Sequence, residues 1–212
     1  MSSAAGAGVA AGPDYDAALV SVPFLVDDEF IPSGCMGDCV TSVTIDSNCP
    51  SRGEADAQGE CHHFVYSADT APGALGWAGV LWQTVEQNWG SQPGRAVEAG
   101  ATSMTFDAMA TSDDVTLTIL VGGMNADDGG KACSVDTDCA SDKCQGNACT
   151  PPLHDTLNLS RMTPLTASWQ PYSISFDGQS YGSEVLSGFG WTAVTPAAAG
   201  TLEFYIDNLR WE

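Results

Sequence analysis

The apolar positions of this chain follow a two-residue alternation, and no window keeps the three-four spacing of an amphipathic helix for three turns. From Val20 onward the apolar runs are short, rich in β-branched and aromatic residues, and bounded by Gly, Pro, Asn or Asp. Ser21–Val26, Val40–Ile45 and His63–Tyr66 are the weaker strand candidates, and Trp77–Val85 is a stronger one. Thr102–Ala110 follows, then Val115–Val121, in which Thr alternates with aliphatics. Ser168–Phe176, Val185–Val194 and Thr201–Trp211 complete the set. Roughly nine or ten strands at short spacing predict an all-β domain, a jelly-roll β-sandwich.

Two stretches depart from that pattern. Residues 1–18 carry no hydrophobic periodicity and read as a disordered linker ahead of a single domain at 19–212. Their first apolar stretch is short, Ala/Gly-rich and lacks a basic leader, so it is not a signal peptide; it looks like a linker left after one was removed. Residues 122–152 are rich in Gly, Asp and Cys and almost free of large apolar side chains. Such a stretch cannot bury enough surface to fold alone, so it is expected to be a loop insert organised by cross-links.

Charge narrows the partners. Asp and Glu number 27 against 6 Lys and Arg, a formal net charge of −21. Nucleic acid needs a basic surface to displace counterions, and anionic lipid needs one too. Acidic polysaccharides would be repelled by the same field. No segment is long and apolar enough to cross a membrane as a helix. A neutral polymer is the partner class this charge leaves open.

The eight cysteines fall into two groups, Cys35, Cys39, Cys49 and Cys61, then Cys133, Cys139, Cys144 and Cys149. An even count in tight clusters fits disulfides and an oxidising compartment, so a secreted or cell-surface location is expected. Zinc is the weaker alternative, because no CxxC pair occurs and the nearby histidines are only His62 and His63. Within the first group the expectation is Cys35–Cys39 and Cys49–Cys61. Four cysteines allow three pairings in the insert; the alternating one, Cys133–Cys144 with Cys139–Cys149, is preferred to the nested one. This Asp- and Cys-spaced segment resembles small inserts common in secreted proteins of myxobacteria and their relatives.

A family comes into view at the C-terminus. The closing run F-Y-I-D-N-L-R-W (204–211) resembles the last strand of calcium-stabilised jelly-roll carbohydrate-binding modules of bacterial cellulases and xylanases. L-V-D-D-E-F (25–30) is similar to their entry motif, and G-W-A-G-V-L-W-Q (76–83) to their aromatic inner strand. M-T-F-D-A (104–108), V-T-L-T-I (115–119), W-Q-P-Y-S-I-S-F (169–176) and G-F-G-W (188–191) follow in the expected order. The resemblance covers about 25–212 apart from the insert.

That resemblance implies a structural calcium joining the first and last strands, with Asp28, Asp27 or Glu29, and Asp207 as its carboxylates. The competing reading is that Asp207 simply accepts hydrogen bonds and that Asp27 and Asp28 are solvated. It also implies an aromatic groove with Trp77 and Trp191 as stacking platforms. Phe189 shares the face of Trp191, because two residues separate them. Trp77 and Trp82 lie five apart, so one of them is core. Gln83 is a nearby amide for sugar hydroxyls, and Trp89 a wall carried by a loop.

Catalysis is the weaker expectation. His62 and His63 are adjacent and point to opposite faces of a strand, and no E-x-D-x-x-E run lies along one strand. The function expected is non-catalytic binding of a neutral β-glucan or xylan. A protein-contact or adhesive sandwich is the alternative, and a glycan-active enzyme a more distant one.

Overall fold

In a computed structural model the described residues are 19–49, 58–67, 71–113, 115–124, 132–139, 143–149, 152–182, 184–194 and 200–212. The linker expected at 1–18 lies outside them. The strands are β1 (Phe24–Leu25), β2 (Ile31–Gly37), β3 (Val43–Asp46), β4 (His62–Ser67), β5 (Trp77–Gln83), β6 (Arg95–Ala96), β7 (Ser103–Ala110) and β8 (Thr116–Gly122). After them come β9 (Cys144–Gln145), β10 (Ala148–Cys149), β11 (Asn158–Pro164), β12 (Gln170–Ser175), β13 (Glu184–Val185), β14 (Ser187–Val194) and β15 (Thr201–Trp211). Two single helical turns, α1 (Val26–Glu29) and α2 (Cys39–Ser42), interrupt the N-terminal part. Among the described residues no helix is long and apolar enough to cross a membrane.

Two antiparallel sheets form a jelly-roll β-sandwich. One has five strands in the order β11-β8-β14-β5-β2; the other has six, β12-β7-β15-β4-β3 with β1 beside β15. Successive strands pass back and forth between the sheets, so nearly every pairing in the core is long-range in sequence.

The two-residue alternation sets the inner faces. Ala78, Val80 and Trp82 on β5, Leu117, Ile119 and Val121 on β8, and Phe189, Trp191 and Ala193 on β14 point into the sandwich. Phe64 and Tyr66 on β4, Met104 and Phe106 on β7, and Phe204 and Ile206 on β15 meet them from the other sheet. Trp191 lies edge-on to Phe64 and Phe204, at centroid distances of 5.1 and 4.9 Å, and Trp82 edge-on to Phe189 at 4.9 Å. Edge-to-face aromatic pairs of this kind add about 0.5–1.5 kcal/mol beyond their buried area. On β15 the inward positions change parity, from Phe204 and Ile206 to Leu209 and Trp211. A bulge between Asp207 and Arg210, with Asn208 at φ +54°, absorbs the extra residue.

Three expectations about elements need correcting. Val40–Ile45 is not one strand: residues 39–42 turn, with the Thr41 and Ser42 amides donating to the Asp38 carbonyl, before β3 begins. Strands β2 and β11 were absent from the pattern, because both are edges of the five-stranded sheet and show few large apolar residues to the core. Of Ser21–Val26 only Phe24–Leu25 is strand.

The four disulfides are Cys35–Cys39, Cys49–Cys61, Cys133–Cys144 and Cys139–Cys149. Between them the second pair of bonds staples a small hairpin, β9–β10, whose turn places Gly146 and Asn147 at positive φ, as a two-residue hairpin turn demands. Asp138 Oδ2 accepts the Ser134 and Val135 amides, and Asp136 Oδ1 the Cys144 amide. Cys133, Cys139 and Cys149 are buried in a cluster of their own, separate from the main core. Four disulfides fit a chain that folds in an oxidising compartment.

Candidate functional site

A site on a sandwich needs side chains that leave the core. On the five-stranded sheet these are set by register. Met36 pairs with Gly79, Gly79 with Thr192, Thr192 with Thr118, and Thr118 with Met162, so these five residues make one row across all five strands. The next row on the same face is Gly34, Leu81, Gly190, Leu120 and Ser160. On the other side of the first row Trp77 stands opposite Val194. Five strands at this spacing make a face roughly 19 Å wide.

The middle of the face is low because it must be. A Cβ on Gly79 would sit 2.5 Å from the Trp191 carbonyl oxygen and 3.0 Å from Met36 Cε, and one on Gly190 would sit 2.5 Å from Leu81 Cδ2. The floor therefore stays flat, and larger side chains rise at its ends. Trp77 is half-buried and packs over Gly37, while Val194 and Met162 are 74% and 79% exposed. At the opposite end Leu81, Met124 and Leu186 form a buried apolar bed against which Met36, Trp89 and Leu120 pack. No residue of these rows is charged, in a chain of net charge −21.

The residues expected to form a groove divide between this face and the core. Trp77 and Trp89 lie on the face, at its two ends. Trp191 and Phe189 do not: both are fully buried between the sheets, and neither is a groove residue in this fold. The reason is parity. Trp191 pairs with Val80 and Ile119, which point inward, whereas Trp77 pairs with Val194. Gln83 is also fully buried, so it offers nothing to a ligand; its Oε1 accepts from Ser33 Oγ at 3.1 Å and its Nε2 donates to the Asn88 carbonyl at 2.9 Å. The face residues that sequence reading missed are Met36, Thr118, Thr192, Met162 and Val194. The Thr alternation of β8 was the available signal for one of these positions.

The carboxylates expected to hold calcium have the following partners. Asp27 Oδ1 accepts from the Trp82 indole at 2.9 Å and lies 2.8 Å from His62 Nε2, while its Oδ2 accepts the Glu60 amide at 3.3 Å. Asp28 is exposed. Asp207 is buried opposite Asp107 and accepts the Asn208 amide at 2.7 Å. None of the three joins a group of three or more metal-ligating side chains among the described residues. Such a group exists only at Cys133, Cys139 and Cys144, whose sulfurs are in disulfides.

The outer face of the six-stranded sheet is chemically different. His63 Nδ1 lies 3.0 Å from Asp46 Oδ1 and its Nε2 3.1 Å from Glu203 Oε1. The ring stacks on Tyr205 at 4.5 Å with an interplanar angle of 11°, and the Tyr205 hydroxyl donates to Glu203 Oε1 at 2.8 Å. Burial first, then the Glu203 carboxylate, push the Tyr205 phenol up to about 12. Hydrogen bonds from the Asn48 amide and from His63 hold the Asp46 carboxyl below its usual range.

No family model and no curated protein matches the sequence. Solved structures are similar to it at low values. A family 11 carbohydrate-binding module from Clostridium thermocellum, in complex with a beta-1,3-1,4-mixed-linked tetrasaccharide, is 10% identical with a TM-score of 0.45, over 86% of this chain and 94% of that one. A family 30 module of a cellulosomal cellulase from the same organism is 9% identical with a TM-score of 0.46, over 90% and 97%. TmCBM61 in complex with beta-1,4-galactotriose is 17% identical with a TM-score of 0.39, over 87% and 90%. These values are too low to transfer a residue or a ligand to this chain.

Proposed function

We propose that the outer face of the five-stranded sheet binds a neutral polysaccharide without cleaving it, with Trp77 and Trp89 as its stacking surfaces. One observation carries the reading: the rows across this face hold no charged residue, although the chain as a whole is strongly acidic. An uncharged face on an acidic body is suited to an uncharged polymer and excludes acidic ones. Thr118, Thr192 and Ser160 supply hydroxyls between apolar side chains, the mixture that pyranose rings need for both C–H and O–H groups. The flat Gly79–Gly190 floor leaves room for a chain to lie across it. The face rows contain no carboxylate, the group that glycosidic bond cleavage uses in pairs.

Affinity electrophoresis against soluble β-glucan, xylan and pectate tests the proposal. Retardation by a neutral polymer, reduced by Trp77→Ala and by Trp89→Ala, is the expected result. Retardation by pectate alone, or by none of the three, overturns it and favours a protein contact at the same face.

A further inference from the structure

Trp89 is carried by the loop after β5, not by a strand, so something must hold it. One support is polar. Its indole donates to Gln87 Oε1 at 3.2 Å, the Gln87 amide donates to Ser33 Oγ at 3.3 Å, and the Gln87 side chain donates to the Ser33 carbonyl. Ser33 and Asn88 are in turn tied through Gln83. The other support is the apolar bed of Leu81, Met124 and Leu186.

Met124 and Leu186 come from separate parts of the chain, and a single buried carboxylate joins them. Asp155 Oδ2 accepts the Met124 amide at 3.1 Å, and Oδ1 accepts the Leu186 amide at 2.7 Å. The Asp155 amide donates back to the Met124 carbonyl at 3.0 Å. Met124 lies two residues after the end of β8, at the start of the Cys-rich insert, and Asp155 three residues before β11, just past its end. Two residues earlier the Leu153 amide donates to the Gly90 carbonyl at 2.9 Å, next to Trp89 itself. Both stems of the insert and the start of β14 thus meet at one side chain beneath the Trp89 wall.

Keeping an anion there is costly. Asp155 is 8% exposed, and burial pushes its carboxyl up to about 6, against the pull of the Leu186, Met124 and Ser187 amides and of His154. From the elements packed against it come backbone amides only: Met124 after β8, and Leu186 and Ser187 at the start of β14. Glu184 on β13 is exposed to solvent, and His154 is the titratable group acting on Asp155. A protonated carboxyl accepts more weakly, above all through its hydroxyl oxygen, so protonation weakens the hold on one of these amides.

We propose that Asp155 is the positioning residue of the Trp89 wall, and that through it the stapled insert controls polysaccharide binding. This rests on the reading of the face as a polysaccharide platform. Its consequence is that binding weakens with acid, because protonation weakens the hold on Met124 or Leu186 and loosens the bed under the indole.

The test compares the wild type with Asp155→Asn, which keeps the size of the side chain and removes the charge. Affinity for soluble β-glucan and xylan is measured at about pH 7.5 and about pH 5, on either side of the Asp155 transition, with the Trp89 indole N–H resonance followed in parallel. The expected result is a several-fold loss of wild-type affinity at the lower pH and an indole resonance that titrates with it. Asp155→Asn should bind at both pH values as weakly as the acidified wild type, while Trp77→Ala keeps the pH dependence. An Asp155→Asn protein with wild-type affinity and pH profile overturns the proposal, as does an indole resonance unmoved by pH. If no polysaccharide binds, the platform reading fails and the Trp89 resonance alone decides the role of Asp155. A purely structural role would change the melting temperature and leave the pH profile intact.

Discussion

The two outer faces of this sandwich are built from the same alternation and do opposite things with their polar groups. On the six-stranded sheet, Asp46, His63, Glu203 and Tyr205 satisfy one another and fasten the edge strand β3 to β15 across β4. On the five-stranded sheet, Thr118, Thr192 and Ser160 stand among apolar neighbours, with Trp77 and Trp89 at the ends. The charged face is turned on itself; the uncharged face is available.

The strongest way to break this contrast is to mutate the tryptophans that the two-residue period separates. Trp191→Ala should lower folding stability by about 3–5 kcal/mol, as expected when a large core aromatic is deleted. Trp77→Ala, on the half-buried outer side, should lower it by about 1 kcal/mol or less. Denaturant melts of the two proteins measure this directly. Equal losses would mean that Trp77 is core as well, and the uncharged face would lose one of its two stacking surfaces.

That pair also marks what could be read from sequence. The sandwich was legible because β-branched alternation, scarce helical spacing and turn residues all agreed. The opposition of Trp77 and Trp82 was legible for the same reason. The choice of Trp191 as partner to Trp77 was not: it needed the register between β5 and β14, which a shift between Ser187 and Phe189 sets and no local pattern announces. Gln83 was expected beside the groove that the resemblance implies, yet it is a buried clamp between β2 and the loop after β5. Asp27 was expected as a metal ligand because L-V-D-D-E-F resembles the entry motif of calcium-stabilised modules. The His62 and Trp82 ring nitrogens that claim it are 35 and 55 residues away in sequence. Asp155 carried no signal at all, since its environment is made of backbone amides from distant strands.

Asp155 sharpens the comparison next, because it is a charged group beneath the uncharged face. Its folded-state carboxyl is raised to about 6 from 3.8, so the native protein holds more protons than the unfolded chain between those values. Unfolding free energy should then fall as pH rises from about 4 to about 6, by up to about 3 kcal/mol from this residue. Thermal melts of wild type and Asp155→Asn across that range should show the slope in the first and its loss in the second. Stability and polysaccharide affinity would thus move in opposite directions with pH. A common direction for both would separate Asp155 from the Trp89 wall.

The binding energies come third. Trp77→Ala and Trp89→Ala should each weaken polysaccharide binding by about 1–3 kcal/mol, as for exposed aromatic hot spots. For the neutral polysaccharide proposed, the affinity should hardly change between low and moderate salt, where charged partners separate by screening. Isothermal titrations with soluble β-glucan or xylan at two salt concentrations check both statements. Strong salt dependence would move the ligand to the charged face.

The smallest effect concerns that charged face itself. His63→Ala removes a ring stacked on Tyr205 and the imidazole that lies between Asp46 and Glu203. The pairs are partly exposed and screened, so the loss of stability should be about 1 kcal/mol, most of it from the stack. Edge strand β3 should exchange its amides faster, since His63 is what ties it to β15. Polysaccharide affinity should stay at the wild-type value, because the two outer faces are separated by the whole aromatic core. Hydrogen exchange of β3 and titration of the same protein with β-glucan or xylan give both readouts. A loss of affinity in His63→Ala without unfolding would show that the two faces are coupled through the core, and the division between a cohesive face and a binding face would fall.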